Sequence, residues 1–181
     1  MGRVSDFIPG WFRRDGADFS PQPLATSLWS SRQMHGVAVS GLLALTLEDE
    51  LRRIDRADLV PARYHVDLFR PAGMGTTSAR ASVVRAGPRL VLLDAVLEQD
   101  EQPVARASAL FLRPSSDPDG VVWSSGQRPR PPSTDLTPHD GAHHVPFFES
   151  AAPWSQNFGE HQNDGRHATW QTAMPVIVDE P

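Results

Sequence analysis

The chain has 181 residues, room for one full domain and an appendage, and its 39% hydrophobic and 22% charged residues are those of a globular chain able to bury a sizeable core. A net charge of −5 argues against general nucleic-acid binding, and the absence of cysteine excludes disulfides, thiolate metal sites and thiol nucleophiles. All the positive charge is arginine, so Schiff-base chemistry is excluded and a phosphate would meet guanidinium forks.

Residues 1–10 carry one arginine and no apolar stretch ahead of a small-residue cleavage site, so no signal peptide is expected and the cytoplasm is the expected location. Residues 8–28 place Trp11, Phe12 and Phe19 around the turn Arg14-Asp15-Gly16-Ala17, with Pro21 and Pro23 behind, which predicts a short, irregular β-hairpin. Residues 37–54 repeat apolar positions at 37, 41, 44, 47, 51 and 54, the spacing of one helix face. The first half is apolar nearly all round and the second carries Glu48, Asp49, Glu50, Arg52 and Arg53, so this helix should be buried at its start and solvated at its end. Its apolar stretch is about half a bilayer span and is broken by Ser40, Gly41 and Thr46; no membrane segment is expected. Strand-like runs follow at 62–70, 76–85 (the weakest), 89–98 and 104–113, with turns at 86–88 and 99–103. Succession with short turns predicts an antiparallel meander around the helix, an α+β layout. Residues 115–146 shift to Pro, Ser, Gly and Asp and read as a linker; residues 147–181 regain Phe147, Phe148, Trp154, Phe158 and Trp170 and end in a segment of strand character, 167–178.

The order of hairpin, buried helix and meander is that of a hot-dog fold, and three local motifs narrow it. The run Trp29-Ser30-Ser31-Arg32-Gln33-Met34-His35-Gly36, leading into residues 37–44, resembles the helix start of acyl-CoA thioesterase II-like proteins. Tyr64-His65-Val66-Asp67-Leu68-Phe69-Arg70-Pro71 resembles the second strand of the same domain, which ends in an Arg-Pro step, and residues 104–113 resemble its last strand. The resemblance implies a hot-dog domain over residues 1–114, an antiparallel sheet wrapped around one long central helix. It also implies that residues 147–181 open a second such domain, because 168–175 with Asp179-Glu180-Pro181 are similar to the segment before the second hot-dog helix. In the family that second helix bears the catalytic aspartate, and a Ser/Thr and a Gln come later from the second sheet. The chain stops before those positions, so the resemblance implies the scaffold without those three residues.

Thioester hydrolysis needs donors for the carbonyl oxygen and a group that activates water. A helix start supplies the first, since its N–H groups are unpaired and sit at the positive end of the dipole. Gly36 would let a carbonyl approach closely, with the N–H groups of Gly36 and Val37 as donors; the rival reading is that Gly36 only permits tight packing of helix on sheet. His35 is the polar candidate, because an imidazole exchanges its proton near neutral pH, and its rival role is to cap backbone groups. His35 and Gly36 are thus the expected catalytic residues. Gln33, Val37 and Arg70 are the expected substrate-binding set, with Arg32, Arg85 and Arg89 as further candidates for the phosphates of coenzyme A.

Glu48 and Asp49 fall on the solvated half of the helix, and Asp67 on the strand face opposite Tyr64, Val66 and Leu68, so none of the three is expected to act. His139, His143 and His144 with Asp140, and His161 and His167 beyond, lack zinc-ligand spacing, so no metal or other cofactor is expected. Ser40 and Ser108 lack a nucleophile-elbow signature. The expected function is an acyl-CoA thioesterase-like enzyme. Its first rival is a non-catalytic hot-dog half that binds acyl-CoA or a partner chain, and enoyl-CoA hydration comes last, for want of a paired Asp and His. Because a lone hot-dog sheet leaves an open edge and an apolar face, a homodimer with an isologous interface is expected, with Trp154, Phe158 and Trp170 partly buried at or near it.

Overall fold

A computed structural model of the chain describes residues 10–116, 119–121, 123–126, 136, 145–171 and 174–178. The chain divides into two compact units, Met1–Ser116 with Pro175–Pro181, and Asp117–Met174. The linker run 128–132 and the histidines at 139, 143 and 144 lie outside the described residues, as does the Asp179-Glu180-Pro181 end.

In the larger unit, β1 (Phe12–Asp15) and β2 (Asp18–Pro21) form the predicted hairpin. The helix α1 spans Gly36–Arg53, within one residue of the predicted start and end. It buries Ala38, Val39, Leu42, Leu43, Leu47 and Leu51, a stripe recurring at three and four residues. Full burial of each leucine is worth roughly 1.5–3 kcal/mol. On the solvated side Glu48 pairs with Arg52, Glu50 with Arg53, and Asp49 with both Arg52 and the hairpin's Arg14. Gly41 is needed where α1 meets the hairpin, since a Cβ there would lie 2.7 Å from Cζ3 of Trp11.

The strands β3 (Val60–Leu68), β4 (Thr77–Ala86), β5 (Leu90–Gln99) and β6 (Gln102–Leu112) complete a six-stranded sheet of order β1-β2-β4-β5-β6-β3, antiparallel throughout. Val91, Leu93, Ala95 and Leu97 of β5 and Ala105, Ala107, Ala109 and Phe111 of β6 face α1 and close the core. Ile177 adds a parallel bridge beside Phe12.

The expected consecutive meander holds for β4, β5 and β6 only. β3 pairs with β6 at the sheet edge, and β4 pairs with β2. The reason is in the connections. Asp100 and Glu101, with φ of 48° and 61°, make the two-residue turn that a tight hairpin requires, whereas residues 69–76, with Pro71, Gly73 and Gly75, form a longer crossover. β6 also runs through Pro103, expected as part of a turn. Proline cannot donate to the ladder, and the register slips between Leu97 and Glu98 opposite it.

In the smaller unit, β7 (Phe147–Glu149) and β8 (Ala168–Trp170) pair antiparallel, and a 3-10 turn, Phe158–His161, buries the His161 ring.

Candidate active site at the start of the helix

The start of α1 is held by backbone pairing on both sides. The preceding segment, 32–35, lies between residues 25–27 and 72–74. On one side His35 N–H donates to the Ala25 carbonyl at 2.6 Å and Ser27 N–H to Gln33 at 2.8 Å; on the other, Met34 N–H donates to Ala72 at 2.8 Å and Met74 N–H to Arg32 at 3.2 Å. Ala25, Met34 and Ala72 are buried and anchor the three strips in the core.

His35 is the N-cap of α1, with φ −68° and ψ 136°, and its Nδ1 accepts from the Val37 N–H at 3.1 Å. An accepting Nδ1 carries no proton, so in the neutral ring the hydrogen sits on Nε2, outside the cap. The indole of Trp29 stacks on the imidazole at 5.8 Å between centroids and 25° between planes. Of the two donors expected from the sequence, the Val37 N–H is therefore spent on the cap. The N–H groups of Gly36 and Ala38 have no partner among the described residues.

Gly36 is half-buried and faces Leu68 of β3, whose Cδ1 would lie 2.9 Å from a Cβ at this position. Gln33 takes part through its backbone, between Ser27 and Gly73, and its side chain is exposed. Arg70 follows the strand that delivers Leu68; its N–H donates to Val104 at 3.1 Å and its side chain is exposed. His35, Gly36 and Val37 thus form one contiguous cluster with Gln33 beside it.

The sequence reading missed two contributors. Trp29 is 84% exposed yet stacks on the His35 ring; it opens the motif quoted for the helix start, but nothing in its spacing marks it as a partner of His35. Tyr64 of β3 donates from its hydroxyl to the Ser40 carbonyl at 2.6 Å, tying the edge strand to the second turn of α1. Burial pushes the Tyr64 phenol up, against the opposing effect of the Ser40 hydrogen bond.

On the opposite face of the sheet, a groove of about 510 Å³ is lined by His65, Asp67, Arg80, Ser82, Asp94 and Arg106 among others. Arg106 and, less strongly, His65 hold the Asp67 carboxyl below the usual carboxylate range. Asp67 is thus engaged in surface pairing on the face expected for it. No group of three or more histidine and acidic side chains suited to a metal ion occurs among the described residues. No helix among them is long and apolar enough to cross a membrane.

One helix packed across a six-stranded antiparallel sheet is the hot-dog fold. Residues 25–112 match the family described as the acyl-CoA thioesterase N-terminal domain. The curated proteins give no match. Similar solved structures include a Bacillus halodurans protein determined with CoA (18% identity, 52% of this chain and 68% of that one, TM-score 0.48). A conserved Pseudomonas aeruginosa protein is similar at 21% identity, over 52% and 76% of the two chains, with a TM-score of 0.48. A Thermus thermophilus thioesterase complexed with coenzyme A and Zn is similar at 18% identity, over 49% and 75%, with a TM-score of 0.41.

Proposed function

We propose that this chain binds acyl-CoA thioesters at the start of α1 and hydrolyses them there. The observation that carries the reading is the pair of unspent N–H groups at Gly36 and Ala38, beside a histidine whose ring is fixed by its cap and by Trp29. A thioester carbonyl accepting from these donors gains most as its oxygen becomes negative in the tetrahedral intermediate, where the helix dipole adds to the hydrogen bonds. The His35 Nε2–H is a third donor, and Val37 offers an exposed apolar surface to the acyl chain. Gln33 and Arg70 flank the site, Arg70 as the cation for the phosphates of coenzyme A. Hydrolysis adds water across the C–S bond and releases a carboxylate and the coenzyme A thiol. The setting is cytoplasmic fatty acid metabolism.

A second reading, binding without turnover, is favoured by one observation. All three carboxylates of α1 are tied to arginines, so the helix itself offers no free base to water. Release of free thiol from acyl-CoA separates the two. We expect turnover by the wild type and a loss of about a hundredfold in His35→Asn, which keeps a good N-cap but removes the imidazole. Saturable binding with no thiol release would leave only the second reading, and no binding at all would end both.

The working form in this proposal is a homodimer. β3 is an edge strand, and Tyr64, Leu68 and Phe69 at its end and Val37 on the helix are all left exposed. An unpaired ladder beside apolar side chains is a surface that a second copy would cover symmetrically. The proposed domain order remains a hot-dog domain at 1–114, a linker at 115–146, and the opening of a second hot-dog domain at 147–181.

A further inference from the structure

We infer that Gln99 is a positioning residue for the helix start, acting through the crossover loop. The inference deepens the reading of that site as the thioester site and rests on it.

Gln99 ends β5, at the tight turn into β6. Its side chain leaves the turn and grips the loop that links β3 to β4. Oε1 accepts from Gly73 N–H at 2.7 Å, while Nε2 donates to the Gly73 carbonyl at 2.9 Å and the Gly75 carbonyl at 3.1 Å. The amide therefore meets both polar groups of Gly73 as a neighbouring strand would, and uses both its N–H bonds in doing so. The preceding residue is pinned as well, because the buried Thr77 hydroxyl donates to the Glu98 carbonyl at 2.8 Å.

The gripped loop is the outer rail of the segment that delivers His35. Gly73 bridges Gln33, Ala72 receives the Met34 N–H, and Met74 donates to Arg32. Chain continuity then sets where His35 places its ring and where the Gly36 and Ala38 N–H groups point. No hydrophobic contact of the Gln99 side chain is needed for this. Three polar bonds hold a proline- and glycine-containing loop that has no regular structure of its own, and at Gly73 and Gly75 they add to the buried Ala72 and the Arg70–Val104 bond in fixing the loop's distance from the sheet. A displacement of about 1 Å in groups that bind a reacting carbonyl costs up to roughly a hundredfold in rate.

The test uses the full chain and three variants. Gln99→Met keeps the length and removes all three bonds. Gln99→Glu keeps the acceptor for Gly73 N–H but sets a carboxylate against two carbonyl oxygens, a conflict relieved when the acid is protonated. Arg113→Ala removes the ion pair with Asp58 beyond the other end of α1 and serves as a stability control. Three properties are read: amide NMR positions of Gly36, Val37 and Ala38 without ligand, Kd for a non-hydrolysable acyl-CoA thioether, and Tm. Gln99→Met should shift all three amides and weaken binding roughly tenfold or more, while Arg113→Ala moves neither. Gln99→Glu should be displaced at neutral pH and return toward wild-type amide positions on acidification. Unchanged amides in Gln99→Met, or an equal shift in Arg113→Ala, would overturn the inference. Shifted amides in a protein whose wild type binds no acyl-CoA would uphold the positioning and end the thioester reading.

Discussion

At the residue scale, Gly36 separates packing from ligand binding. The neighbour that a new Cβ would meet is Leu68 Cδ1, the end of a side chain that is 54% exposed and able to turn away. Gly36→Ala should therefore fold with a stability change within about 0.5 kcal/mol. Gly36→Asp puts a carboxylate on the positive end of the helix, which favours folding, yet places it where a carbonyl and phosphates would bind. Its Tm should hold or rise while acyl-CoA affinity falls; a large loss of Tm in both variants would make the glycine a packing residue. His161 has a definite role of a different kind. The Ser150 hydroxyl already accepts from Ala152 N–H and Asn163 Nδ2, so its own proton goes to His161 Nδ1. His161 Nε2–H then donates to Ser155, which passes its proton to the Glu160 carboxylate. His161→Leu breaks this relay in the middle and leaves two hydroxyls short of a partner. It should cost the unit holding it about 1–3 kcal/mol, read as faster amide exchange over residues 150–163 with α1 unchanged. The sequence pointed to His35 as a helix-start residue, but whether it caps or contacts a ligand depends on ring direction, which one-dimensional spacing does not encode.

At the element scale, α1 was legible because its apolar positions keep one period over the whole helix, and β5 and β6 because Val, Leu and Ala alternate toward it. The edge placement of β3 was not, since every strand pairing beyond a tight turn is a choice made by the assembled core. Trp29 and Gln99 escaped for the same reason, each being defined by a partner distant in the chain or outside any repeat. The connection after α1 predicts a pH dependence. Arg113, and then Arg56, hold the Asp58 carboxyl below its usual range. A carboxyl depressed in the folded state contributes stability that is present above the ordinary value of about 4 and is lost as pH falls through the folded one. Thermal stability should therefore decline below about pH 4 more steeply in the wild type than in Asp58→Asn. Parallel curves would mean that the two arginines add nothing to folding; Asp58 and Arg113 are exposed, so the difference should be small.

At the scale of the whole molecule, the proposed dimer surface and the proposed ligand site meet at one edge. Replacing Leu68 by Arg puts a charge on the apolar strip beside β3 without disturbing the core, so sedimentation at micromolar concentration should show a wild-type dimer and a variant monomer. A wild-type monomer would remove the dimer from the account and leave the helix start as it is. The most direct test of the central claim is an amide NMR titration with a non-hydrolysable acyl-CoA thioether. The account predicts saturable shifts centred on Gly36, Val37 and Ala38 and on the Trp29 indole. Shifts confined to the outer groove around Asp94 and Arg106, or none at all, would contradict it.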